Sequence, residues 1–313
     1  VRNDISVEDV KGYNSPYGTF SQYAAMNPYE RMRDEEGELI REYSRHDRIT
    51  RNPLINSLLP NTSYEKYTQV RDNLQVQWWA TQHLRINGSV GLTKQINRDE
   101  AFTSAQSTQF DGITNIAEKG SYVISNGTDM DVEGKLTLDY SNLFFDHLSF
   151  NLGVGTEFTT QKTQEDGYTA TGFVNDKLTY PSYAQQRNGK PSGYFDKGRT
   201  IGFLGNINLG WDNRYIVDFS LRTDGSSRFG SDNQFAPFWS VGLAWNVNRE
   251  NFWQGVGTMK IRASVGSVGS SNFNADQAMT RFIYNSDGEY NGIYGDVLSQ
   301  YGNTALKWQN TLK

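Results

Sequence analysis

Three histidines, His46, His83 and His147, are the side chains most ready for general-base or metal work. They are scattered, and two of them fall at expected turns. The segment DMDVEG places Asp129, Asp131 and Glu133 at alternate positions, a superficial likeness to calcium ligation. Met130 and Val132 fill the gaps, and a strand with one polar face explains the same pattern more simply. Glu165 and Asp166 have no partner at a readable spacing, so no glycosidase pair is assigned. GSVGSS (266–271) has glycines but no helix pattern after it to complete a phosphate cradle. No catalytic residue, metal ligand or cofactor follows, and the chain is expected not to be an enzyme.

Side chains suited to binding are plentiful. Two stretches that read as loops carry Tyr168, Tyr180, Tyr183 and Tyr194, then Tyr284, Tyr290, Tyr294 and Tyr301. Flat rings stack on sugar faces and add a hydrogen-bonding tip, but they also pack loops together or against a partner protein. Tyr168, Tyr183, Tyr284 and Tyr294 are the candidate substrate contacts, together with Arg222 and Arg262. Those two arginines project from polar strand faces, where they either line a channel or pair with carboxylates of whatever fills it.

The elements that must position these residues are strands. Between Ile201 and Val265 four segments alternate with period two. Ile201, Phe203, Ile207, Leu209 and Trp211 share a face, opposite Gly202, Asn206, Asn208 and Gly210. Tyr215, Val217, Phe219 and Leu221 follow, then Trp239, Val241, Leu243 and Trp245, then Met259, Ile261, Ala263 and Val265. Earlier runs repeat the pattern at Val70–Trp78, Leu84–Leu92, Met130–Tyr140 and Leu148–Phe158. Residues 1–64 read as an irregular, polar region with room for one short helix, and residues 65–313 as strands and their connections.

Connections alternate in length. Short ones are expected near 81–83, 141–147, 212–214 and 246–257, and long ones over 94–129, 159–199, 223–237 and 267–303. Aromatic residues flank the short ones: Trp78, Tyr140, Phe144, Trp211, Tyr215, Trp245 and Trp253. Outer-membrane barrels have short periplasmic turns, long external loops and aromatic girdles at the lipid boundary. The expected fold is therefore all-β, an antiparallel transmembrane barrel wall. Trp78, Phe144, Trp211, Tyr215, Trp245 and Trp253 are its candidate interface aromatics.

Composition agrees. Among 313 residues there are no cysteines, 30 glycines, 18 tyrosines and 17 phenylalanines, and the net charge of −5 gives no footing for nucleic acid. The mean hydropathy of −0.67 does not argue against a barrel, because only every second strand residue faces lipid. No apolar run approaches the roughly 18 residues of a membrane-spanning helix. The chain opens at Val1 without an initiator Met and ends as LKWQNTLK begins to read as a strand, so an internal stretch of a longer protein is expected.

RTDGSSRFG (222–230) followed by APFWSVGLAWNVNRENFW (236–253) resembles the SusC/RagA-type TonB-dependent outer-membrane transporters of Bacteroidetes-like bacteria. The residues that carry the likeness are Arg222, Asp224, Gly225, Ser226, Ser227, Arg228, Phe229 and Gly230, then Phe238, Ser240, Trp245, Glu250 and Phe252. MKIRASVGSVGSSN (259–272) and GNTALKWQNT (302–311) add to it. Trp239, Val265, Thr304, Ala305 and Gln309 depart from the family pattern at positions that read as structural.

The resemblance implies a barrel of about 22 strands with an amino-terminal plug. It implies a SusD-like surface lipoprotein as lid, TonB acting through an amino-terminal region not read in this chain, and an oligosaccharide or, second, a peptide as cargo. The protein would be integral to the bacterial outer membrane, with lipid around it, and this chain would supply about nine strands of the wall. A secreted β-rich carbohydrate-binding or glycoside-hydrolase module, or a non-energised porin, are the competing readings.

Overall fold

The computed structural model describes residues 1–13, 23–24, 26–45, 48–230, 232–255, 257–270 and 277–313. In chain order the strands are β1 (Arg2–Tyr13), β2 (Glu42–Arg45), β3 (Arg48–Arg51), β4 (Thr62–Trp79), β5 (Leu84–Thr103), β6 (Ser121–Phe144), β7 (Leu148–Thr171), β8 (Gln186–Trp211), β9 (Tyr215–Ser226), β10 (Phe235–Asn246), β11 (Lys260–Ser270), β12 (Arg281–Tyr290), β13 (Ile293–Gln300) and β14 (Gln309–Leu312). Ten of them form one antiparallel sheet in the order β1-β4-β5-β6-β7-β8-β9-β10-β11-β14, a meander with two insertions. The hairpins β2–β3 and β12–β13 stand apart from it. A short helix, Pro53–Ser57, is capped by the Asn52 side chain.

The cross-strand register makes one face apolar. Leu74, Val90, Gly134, Phe158 and Ile201 lie in one row, and Leu84, Tyr140, Leu152, Ile207, Phe219, Val241 and Val265 in another. Side chains of this face point outward into space: Phe203 is 50% exposed and Leu243 is 54% exposed. An apolar patch of that extent on an open sheet face belongs against hydrocarbon or another apolar body. On β8 the face runs Trp211, Leu209, Ile207, Gly205, Phe203, Ile201 before Arg199 and Lys197 end it. Ten residues rise about 33 Å along the strand, or about 25 Å along the normal of a wall tilted ~40°, the height of a barrel's apolar band.

Two tight turns share one geometry. Phe145 and Asp146, and then Asp212 and Asn213, all have positive φ. His147 N–H donates to Phe144 O and Arg214 N–H to Trp211 O, closing type I′ turns whose twist suits a hairpin.

The expectation of an irregular 1–64 region is corrected, because β1 pairs with β4 over twelve positions, Arg2 with Gln75 through Tyr13 with Tyr64. β4 begins at Thr62 rather than in the expected 65–313 region. The long connections also shrink, to 104–120, 172–185 and 227–234, because β5 to β8 run for 20 to 26 residues. Such strands outrun the roughly 9–11 residues that cross hydrocarbon, so their outer halves stand clear of it. There both faces meet water or loops, the alternation disappears, and segments such as TTQKTQED (159–166) read as loop although they are paired. Residues 267–303 hold β12 and β13 rather than plain loop. The sheet has ten strands against about nine expected.

Candidate functional site

At the short-turn end, Phe144, Leu148, Trp211, Tyr215, Trp245 and Ile261 occupy one cross-strand row. The hydroxyl of Tyr215 donates to Glu250 Oε1 at 2.7 Å and the indole N–H of Trp245 to the same oxygen at 3.0 Å. The Tyr215 hydroxyl, and then the Trp245 indole, hold the Glu250 carboxyl below its usual range. Each ring thus has an apolar body beside the apolar face and a polar tip on the turn, the arrangement of an interface residue. Trp78 sits higher in row terms, opposite Ile86, because its own turn at 80–83 lies higher. Trp253 is half-buried in the 247–259 connection.

On the polar face, Arg222 Nε donates to both oxygens of Asp224 at 2.7 Å, and its Nη2 pairs with Glu157 two strands away. Gly202 makes this reach available: a Cβ there would meet Asp224 Oδ1 at 2.6 Å and Arg222 Nη2 at 2.8 Å. Arg222 is thereby a strand-to-strand clamp. Arg262 of β11, facing Ala244 of β10, is exposed and has no ion pair among the described residues. The structure does not bring the two arginines together, since Arg222 lies opposite Phe238, six residues along β10.

The same face carries a hydrogen-bond chain across four strands. Arg71 donates to Gln69, Gln69 to Gln95, Gln95 to Asn97 and Asn97 to Asp129, which also accepts from Thr163 at 2.8 Å. Asp129 is therefore a strand residue with neutral donors. No group of three His, Asp or Glu side chains among the described residues is placed to hold a metal. His83 contacts Ser141 O and His147 pairs with Asp212, both at turns, and His46 lies outside the described residues.

At the far end, Tyr168 is a residue of β7, not of a loop, and the Arg187 guanidinium lies 4.9 Å over its ring. With Arg98, Tyr180, Gln186 and Ala184 they line a cleft of about 510 Å³ between the sheet and the 172–185 connection. Tyr183 is exposed on a single turn of 3-10 helix. Tyr194 belongs to β8, and Tyr284 and Tyr294 to the β12–β13 hairpin, opposite Asp296 and Glu289, so these too are corrected from loop to strand. Beneath the cleft a small core of Phe102, Tyr122, Ile124, Ala170 and Phe173 fixes the outer connections to the wall. Burial, and then the Glu100 carboxylate, push the Tyr122 phenol up to about 12.

The RTDGSSRFG segment closes β9 and turns toward β10. Ser227 Oγ accepts from Arg199 N–H at 2.9 Å and Ser226 Oγ from Arg228 N–H at 3.2 Å, so the serines serve the turn. Phe229 is buried and stacks on Trp308, while Phe238 meets the same indole edge-on at 5.5 Å. Gly230 lies so close to the Thr304 carbonyl that no Cβ fits. Spacing alone did not announce Glu157, Arg187 or Trp308 as partners; counting register outward from the turns would have found Glu157.

No family model matches the chain. Among curated proteins it is 30% identical over 202 residues to the TonB-dependent receptor P3 of Formosa agariphila, covering 58% of this chain and 20% of that protein. Receptor P39 of the same organism is 25% identical over 303 residues, covering 89% of the chain and 26% of the relative. The TonB-dependent receptor SusC of Bacteroides thetaiotaomicron is 28% identical over 160 residues, covering 47% and 16%. The chain thus spans about a quarter or less of these relatives. In fold it is similar to the RagAB peptide importer in its closed-closed state, with a TM-score of 0.80, 21% identity, and coverage of 98% of this chain and 35% of that one. Sequence similarity and fold agree with the resemblance carried by the motifs: the chain is similar to a stretch of SusC-like TonB-dependent receptors and has the antiparallel fold of the matching part of that barrel's wall.

Proposed function

We propose that this chain forms part of the wall of an outer-membrane, TonB-dependent nutrient importer that moves oligosaccharides or peptides into the periplasm beneath a SusD-like lipoprotein lid. The observation that carries it is the outward apolar face, about 25 Å high and bounded at the turn end by Trp211, Tyr215 and Trp245. A secreted module would not expose Phe203, Phe219 and Leu243 together on one face. The polar face, with Arg222 and Arg262, lines the lumen side and the aromatic row lies at the inner lipid boundary. Cargo is bound and released, with no covalent step. Tyr168, Tyr183, Tyr284 and Tyr294 lie toward the outer end, where cargo and lid arrive.

Purification of the full-length protein from outer membranes in mild detergent, with mass spectrometry of what stays bound, tests this. A stoichiometric surface lipoprotein is expected. A chain soluble without detergent would overturn the barrel, and a barrel recovered alone would remove the lid.

A further inference from the structure

Just above the apolar band, on the outward face, cations gather; Lys94 has Asp72 diagonal to it on β4, but those of β7 and β8 have no acidic neighbour on this face among the described residues. Lys162 of β7 stands directly opposite Lys197 of β8, and Arg199 follows two residues along on the same face, opposite Thr160. Lys94 joins the row across Met130. Lys94, Lys162, Lys197 and Arg199 are all exposed. The positions around the Lys162–Lys197–Arg199 triad on this face are Thr128, Met130, Val132, Thr160, Gln164, Phe195 and Ile201, none of them acidic. Lys162 lies 5.5 Å over the Phe195 ring, an attraction that supplies no formal negative charge. The acidic Asp196 points to the other face, where it pairs with Arg228.

Opposite residues of an antiparallel pair bring their Cβ atoms within about 5 Å, so like charges there destabilise the sheet unless an anion sits between them. Lys197 is fourteen residues above Trp211 on β8, about 35 Å along the normal of a wall tilted ~40°. That is about 10 Å beyond the edge of the apolar band, the level of lipid headgroups. We propose that Lys162, Lys197 and Arg199 form a binding site for the phosphate of a phosphorylated membrane lipid, seated on the outward face with its acyl chains against Phe158, Ile201 and Phe203. Charge-assisted hydrogen bonds to phosphate oxygens would relieve the Lys162–Lys197 repulsion. The site rests on the barrel reading above, since a lumenal or buried face would offer no lipid.

The test uses the full-length protein in neutral detergent, with fluorescent phosphatidylglycerol and phosphatidylcholine as probes and heat-modifiable migration read on the same samples. The wild type is expected to retain phosphatidylglycerol. The K162Q/K197Q/R199Q variant should migrate normally but bind it roughly a hundred-fold more weakly, at about 1 kcal/mol per cation. Lys162→Glu, which turns the like-charge pair into an ion pair, should lose lipid while melting no lower than wild type without lipid. Equal retention of phosphatidylglycerol by wild type and triple variant would overturn the site. Full displacement by excess inorganic phosphate would assign it to free phosphate instead and overturn the lipid. Loss of heat-modifiable migration in the wild type itself would overturn the barrel reading, and the site with it.

Discussion

The ring of Phe229 stacks on the indole of Trp308, centroids 4.5 Å apart and 26° from parallel, joining positions 79 residues distant in sequence. Both belong to segments that carry the family likeness, and in this chain one docks on the other. The Trp308 indole N–H also reaches Gln234 O at 3.3 Å, so the segment after β13 is fastened to the β9–β10 connection at two points.

Phe229→Ala should therefore destabilise the wall by about 3 kcal/mol, through lost transfer energy and the cavity left behind. In a double-mutant cycle with Trp308→Ala the coupling should be about 1 kcal/mol. Urea titration of the folded fraction measures both, and strict additivity would show that the rings do not stabilise each other.

Depth should grade the cost of charge on the apolar face. Phe219→Arg, near mid-band, is expected to cost about 2–4 kcal/mol, Phe203→Arg less, and Leu209→Arg and Leu243→Arg, one step from the aromatic row, about 1 kcal/mol. Equal folding yields for all four variants would invert the facing assignment.

The two arginines of the polar face should separate. Arg222→Ala leaves Glu157 and Asp224 facing each other without a cation and should cost about 1 kcal/mol, given that the cluster is partly solvated. Arg262→Ala should leave stability within ~0.5 kcal/mol. Matching stability losses for the two would refute the clamp.

Alkaline pH should loosen the outer core first. Tyr122 is pushed up to about 12 by burial and then by Glu100, while an unfolded tyrosine titrates near 10.0. Its contribution is complete below the unfolded value and is lost as pH rises from there through the folded one. Limited proteolysis of the 104–120 and 172–185 connections should rise across that window in the wild type and much less in Tyr122→Phe. Identical profiles for the two proteins would remove Tyr122 from the effect.

Legibility followed solvent. Where β8 and β9 lie against an apolar medium, period-two alternation marked their facing residues and the 212–214 turn. Above the band, Lys94–Glu100 and Gln186–Thr200 have polar side chains on both faces, so pairing left no trace in the pattern. Pro191 is tolerated in β8 because it falls at the register shift between the Gly167–Ser192 and Thr169–Asn188 pairs, in a stretch that pairs only with β7. β1 was hidden likewise, since Arg2, Asp4, Glu8 and Asp9 blur its alternation. Among candidate site residues, the aromatic row was readable from its turns. The Arg222 clamp and the Tyr168–Arg187 contact needed register, which no single strand encodes.

In the proposed wall, one face of β8 meets lipid. Because the chain has no cysteine, single cysteines can be placed at each position from 197 to 211 and spin-labelled in reconstituted membranes. Oxygen accessibility should alternate with period two, high at 201, 203, 205, 207 and 209, with positions 197 and 199 at headgroup depth. Uniform access to water, or alternation of the opposite phase, would contradict it.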